Sequence, residues 1–227
     1  MSLISKANAK TVKGEKYDYL TGILYMMPDV RTCSFALKAG CLKSCLVFSG
    51  YAQIYSSINK GRTRKRELFF NNNEEFFNIL IKDIEQYKRR AKRNNMQLAI
   101  RLNGTSDIEY ENIPVRGYNN IFEMFPDIQF YDYTKIVERF NRVLPSNYDL
   151  TFSYSGTEEY RPSVEEAIRL KVRTAFVYQD TMPTEFMGMP VINGDEHDLR
   201  FTEPKHVAIA LRAKGKKAKA SNSKFFV

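Results

Sequence analysis

Segments that read as strands alternate along this chain with segments that read as amphipathic helices, and this grammar restricts the fold more than any other feature. Residues 20–27 form a short apolar run closed by Pro28 and Asp29, which predicts a buried strand and then a turn. Over residues 74–93, Phe76, Phe77, Leu80, Ile81, Ile84 and Tyr87 recur at helical spacing behind Asn73 as a cap, and Asn94 and Asn95 break the pattern. Residues 97–102 predict a strand closed by Asn103 and Gly104. The alternation continues with a strand over 127–133, a helix over 135–143 and a strand over 148–154. A helix over 163–173 follows, with Ser163 as cap and Glu166 at the reciprocal position, and then strands over 174–178 and 207–211. Strands separated by helices pair in parallel through right-handed crossovers, so the expected class is α/β. Six or seven such strands suit a single-domain complete or partial β/α barrel. The domain is expected to span residues 1–213, with a cysteine loop at 33–45, and to end in a basic flexible tail over 214–227.

Hydrophobic residues make up 43% of the chain and charged residues 27%, a balance that supports a packed core and excludes a disordered polymer. No stretch approaches the roughly 18 apolar residues of a membrane span. The first residues lack the apolar core of a secretory signal, so a cytoplasmic protein with no membrane partner is expected. Thiols stay reduced there, and three cysteines cannot all pair, which turns attention from disulfides to metal or thiol chemistry.

Cys33, Cys41 and Cys45 lie within thirteen residues directly after the first strand, in a C-x7-C-x3-C pattern. Cys41 and Cys45 share a face if that turn is helical, and Cys33 can fold back over them. A structural zinc needs four closed ligands, and the only histidines, His197 and His206, are distant in sequence. A [4Fe-4S] cubane tolerates irregular spacing, and three cysteines leave one iron with an open position. Another metal and simple core packing of small apolar thiols stay open as alternatives.

In parallel β/α folds ligands gather beyond the C-terminal ends of the strands. Arg101, Asn103, Thr105, Ser106 and Asp107 follow one predicted strand. Asp132, Tyr133 and Lys135 follow the next, and Ser153 and Ser155 another. With the cysteine loop they could face one cavity, although turn and cap chemistry accounts for any one of them equally well. Arg101, Asn103, Ser106, Asp107, Asp132, Lys135, Ser153 and His197 are the candidates for cofactor binding. His197 is included because Asp195, Glu196, His197 and Asp198 form a dense polar cluster that could supply a missing ligand or an acid and base. A nucleophile elbow, a phosphate-binding loop and a His-Glu-x-x-His helix are all missing, which removes support for hydrolase and nucleoside triphosphatase chemistry.

The formal net charge of +9 is concentrated in runs at residues 60–66, 88–93 and 212–219. Such runs are commonly solvated, but they also fit phosphate-rich partners. An iron-sulfur protein of redox or radical type is therefore weighed against a basic nucleic-acid-binding protein with a structural cluster and against a non-catalytic electron carrier. The small-molecule or host partner stays unknown.

Three cysteines after the first strand of a β/α barrel resemble the loop of radical S-adenosylmethionine enzymes. That resemblance implies S-adenosylmethionine as a second ligand, although the usual loop there is C-x3-C-x2-C and a glycine-rich stretch after the second strand is missing here. Over nearly the whole chain, NAKTVKGEKYDYLTGILYMMP, the cysteine pattern, RLNGTSD, FPDIQFYDYTK, NYDLTFSYS and PVINGDEHDLRF resemble the phage gene product 88-like domain family. This second resemblance implies an accessory protein acting in the cytoplasm of an infected bacterial host, and it implies no reaction.

Overall fold

The computed structural model describes residues 1–5, 9–41, 55–214 and 223–227. Among the described residues, nine strands form one mostly parallel sheet: β1 (Ile4–Ser5), β2 (Tyr19–Leu24), β3 (Gln97–Arg101), β4 (Gln129–Thr134), β5 (Tyr148–Ser153), β6 (Thr174–Tyr178), β7 (Glu185–Phe186), β8 (Met189–Asn193) and β9 (Ala208–Arg212). Their spatial order is β1-β2-β3-β4-β5-β6-β9-β8-β7. All neighbours from β2 to β8 run parallel, while the two-residue strands β1 and β7 pair antiparallel at the edges. Short edge strands leave little unpaired backbone to recruit another chain. The fold is thus a single mixed α/β domain, as the alternation predicts.

Because β2 to β6 are neighbours in chain order, right-handed crossovers put their connections on one face. The helices are α1 (Ala9–Glu15), α2 (Ser56–Asn71), α3 (Asn73–Arg93), α4 (Ile121–Met124) and α5 (Arg161–Arg169). Leu20, Leu24, Leu98, Ile100, Phe130, Tyr148 and Leu150 of the sheet pack there with Phe76, Phe77, Leu80, Ile81 and Ile84 of α3 and with Phe122 of α4. Alternate residues turn to the opposite face, where Ala99 and Tyr131 meet Leu199 and Ala175 meets Val207 and Ile209. The strands are covered on both faces, and so they read as apolar runs instead of a clean alternation.

Several local expectations are corrected. The segment expected to be a helix over 135–143 is a 3-10 turn, Val137–Asn141, shortened ahead of Pro145. Helix α5 starts at Arg161, with Pro162 in its first turn, so Ser163 is buried inside the helix and does not cap it. The cap of α3 is Asn72, whose side chain accepts from the Glu75 amide at 3.1 Å, while Asn73 donates to the Phe69 carbonyl. Helix α2 was not anticipated, because it buries only Phe69 and its basic run hides any apolar stripe. Of the tail read as flexible, residues 223–227 are hydrogen-bonded to the end of β6: the Val227 amide donates to Val177 at 2.9 Å and the Gln179 amide to Val227 at 3.1 Å. Residues 215–222 lie outside the described residues.

Candidate functional site

The loop after β3 is a rigid platform built around one asparagine. The Asn103 side chain accepts from Ser106 Oγ and from the Ile108 amide, both at 2.8 Å, and donates to the Ile108 carbonyl at 2.9 Å. Its own amide donates to Asp132 Oδ1 at 2.7 Å, which ties the loop to β4. At Gly104 a Cβ atom would lie 2.6 Å from the Leu24 carbonyl oxygen and 2.7 Å from the Tyr25 ring, so only glycine permits this approach to β2. Thr105 then donates to the Met26 carbonyl at 2.6 Å.

The cysteine loop is fastened to this platform at one end and to the end of β5 at the other. The Asp107 amide donates to the Thr32 carbonyl at 2.7 Å, and Cys33 Sγ lies 3.9 Å from the Thr105 carbonyl oxygen. Some residues further on, Ser155 Oγ donates to the Ala39 carbonyl at 2.7 Å and Thr157 Oγ1 to the Lys38 carbonyl at 2.6 Å. Residues 32–39 thereby span the C-terminal ends of β3 to β5. Cys41 follows, half-buried, with Sγ 3.7 Å from the Ala36 carbonyl oxygen. Cys45 falls outside the described residues. Among the described residues, no three of His, Cys, Asp and Glu come together as a metal-holding group.

Beneath this loop lies Lys135, just past β4. Its ammonium donates to Ser153 through the carbonyl at 3.0 Å and Oγ at 3.1 Å, between the rings of Tyr160 and Phe225 at 5.2 and 5.1 Å. The Lys135 amide donates to Asp107 Oδ2 at 2.7 Å, and the other Asp107 oxygen takes Arg139 Nη1 at 3.1 Å. Burial pushes the Cys41 thiol up from its ordinary value while the Lys135 charge pulls it back. Burial also raises the Asp107 carboxyl, against the nearby Arg139 cation. The Asp132 carboxyl is pushed up to about 7 by burial, against the pull of Arg101 and of its hydrogen bond from Asn103.

Of the residues singled out from sequence, the structure therefore gathers Cys33, Cys41, Asp107, Lys135 and Ser153 around one loop. Asn103, Ser106 and Asp132 form its support. Arg101 and His197 sit in a polar layer on the other face of the sheet, although Arg101 Nε also lies 3.9 Å from Asp132 Oδ1. Arg101 pairs with Asp198 at 3.0 Å and lies over the Tyr133 ring at 4.5 Å, and Tyr133 donates to the same carboxylate at 3.1 Å. His197 accepts from the Leu199 amide at 3.2 Å and meets the Tyr17 ring edge-on, ahead of the start of β2 and not beside the cysteines. Its imidazole is lowered from its ordinary value, first by burial and then by Arg200. The dense 193–200 segment thus fills the sheet's second face, with Arg200 bonded to Glu203 and to the Gly194 and His197 carbonyls.

Sequence reasoning missed Arg139. It is fully buried and bonds bidentately to Glu111 at 2.8 Å for each contact, as well as to Asp107 and to Tyr148 at 2.8 Å. It also missed Tyr160 and Phe225 around Lys135. An arginine between Glu138 and Phe140 in IVERF carries no local mark of such a role.

No curated protein and no solved structure matches the chain. The model of the family described as Gene product 88 matches residues 2–227. On that match, which takes in the whole platform and the cysteine loop, the chain belongs to the Gene product 88 family.

Proposed function

We propose that this chain is a phage-encoded iron-sulfur protein in which Cys33, Cys41 and Cys45 hold a [4Fe-4S] cluster, working as a redox or radical-type enzyme in the cytoplasm of an infected bacterium. In this reading the parallel strands form a barrel-like, radical-SAM-like support. The observation that carries it is the clamping of residues 32–39 between Asp107 and Ser155, which sets a thiol near each end of the span over the strand ends. Three thiolates add negative charge to a half-buried site, and Lys135 stands where it offsets that charge at Cys41. Ligation requires deprotonated sulfur, so the metal would reverse the upward push that burial exerts on the Cys41 thiol. Asp107, Lys135 and Ser153 would be the polar groups available to a small-molecule ligand beside such a cluster.

Anaerobic purification followed by iron and sulfide analysis and electron spin resonance tests the proposal. The protein is expected to be brown, and Cys33→Ser, Cys41→Ser and Cys45→Ser are each expected to lose iron. A colourless protein without iron after anaerobic reconstitution would defeat it. Release of 5′-deoxyadenosine from S-adenosylmethionine by the reduced protein tests the radical branch alone, and its absence leaves only the redox reading.

A further inference from the structure

We propose that the solvent face of α3, together with the turn at Arg116 and Gly117, is a binding surface for single-stranded nucleic acid; this does not rest on the cysteine site. Lys82, Gln86, Arg89 and Arg93 are all exposed and recur at four, three and four residues, so they form one stripe opposite the buried Phe76, Leu80 and Ile84. Exposed Lys92 adjoins it. Among the described residues, none of Lys82, Arg89, Lys92 and Arg93 has a carboxylate in ion-pair range, and half-buried Glu85 pairs with none of them. Neighbouring Lys88 is different, since Asp127 neutralises it at 2.6 Å. Lys92 and Arg93 also meet the negative end of the α3 dipole, but among the described residues no carboxylate neutralises the stripe.

A second feature extends it. Val115 and Tyr118 exchange both backbone hydrogen bonds, at 3.0 and 2.9 Å, around a two-residue turn in which Arg116 has φ +47° and Gly117 φ +86°. Turns of this kind favour asparagine or aspartate before the glycine, and a long side chain there holds a costly left-handed backbone. Strained backbone persists where the surroundings and the function require it. Here it sets the Arg116 guanidinium on Asn78 Oδ1 at 2.6 Å, one helical turn before Lys82. It also presents Tyr118, 46% exposed and without a ring partner among the described residues. From Asn78 to Arg93 the helix rises about 22 Å. A line of cations tracks a phosphate backbone, and an exposed aromatic ring stacks an unpaired base, which is the combination a single strand needs and a duplex cannot use in full.

The test is fluorescence anisotropy of a labelled oligothymidine with the full chain over a range of salt. Binding is expected to weaken with salt at a logarithmic slope of about −0.7 for each phosphate contacted, near −3 for four cations. Arg89→Glu with Arg93→Glu should weaken binding more than about ten-fold and flatten that slope. Tyr118→Ala should weaken it about ten-fold with the slope unchanged, as loss of one stacked base does. The same charge change at Arg161 and Arg169, exposed residues of α5, should matter little. Circular dichroism of each variant establishes that it is folded. Absence of binding at low salt, equal losses from the α5 pair, or equal affinity for duplex and anionic vesicles with Tyr118→Ala silent, would each overturn the proposal.

Discussion

Replacing Arg139 with methionine should cost about 3–5 kcal/mol of stability, the loss seen when one partner of a buried ion pair is removed and the other charge is left behind. The guanidinium is fully buried and supplies hydrogen bonds to Asp107, to both oxygens of Glu111 and to Tyr148. The two carboxylate side chains are themselves only 9% and 6% exposed, so water cannot replace the lost cation. Urea unfolding followed by circular dichroism at pH 8 measures the loss; with a slope of about 1–3 kcal/mol per molar, the midpoint should fall by at least 1 M. The pH dependence has a definite sign. Burial already raises the Asp107 carboxyl in the folded protein, and without Arg139 it rises further. The folded variant then holds a proton that the unfolded chain has released, so its stability is greatest at acid pH and is lost as pH climbs through the raised value. The difference from the parent should shrink between pH 8 and pH 5. Adding Glu111→Gln to Arg139→Met should recover part of the loss, because one orphaned charge is gone. A variant within about 1 kcal/mol of the parent at pH 8, or a loss independent of pH, would refute the reasoning that this network pins the platform under the cysteine loop.

The Asp132 carboxyl, raised to about 7, keeps its proton in the folded protein where an unfolded aspartate near 3.8 has lost it. Its stabilising contribution is full below about pH 4 and lost by about pH 7, at most about 4 kcal/mol in all; Asp132→Asn should lack this pH dependence, so the difference in stability between parent and variant should change across that range, and parallel curves would contradict it. Gly104→Ala should lower stability by about 1–3 kcal/mol, because the new methyl meets the Leu24 carbonyl. Gly61→Ala, inside α2 with nothing within 4 Å of the added Cβ, should raise stability by up to about 1 kcal/mol; thermal melts that reverse these signs would show that the local packing is misjudged.

The sequence by itself determined the elements that announce themselves through period. The strands β3 to β6, the long helix α3 and the α/β class follow from apolar spacing, because a helix or a strand must bury one stripe or one face whatever lies against it. It also determined that the cysteine pattern follows the first long strand, and that polar residues at 101–107 and at 132–135 mark strand ends. Tertiary structure decided which of these residues meet. Asp107, Lys135 and Ser153 converge because β3, β4 and β5 are adjacent in the sheet, whereas Arg101 and His197 fall on its other face through the pleat of β3 and the path of the 193–200 segment. Buried Arg139, Arg173 and Arg200 look like surface arginines in the sequence. The carboxylate partners of two of them, Glu111 for Arg139 and Asp149 for Arg173, come from other elements, whereas Arg200 pairs locally with Glu203, and Phe225 reaches Lys135 from the far end of the chain. Periodicity reports what a segment buries, but a charge is satisfied by whichever partner the folded chain brings within reach, and that is a property of the whole molecule.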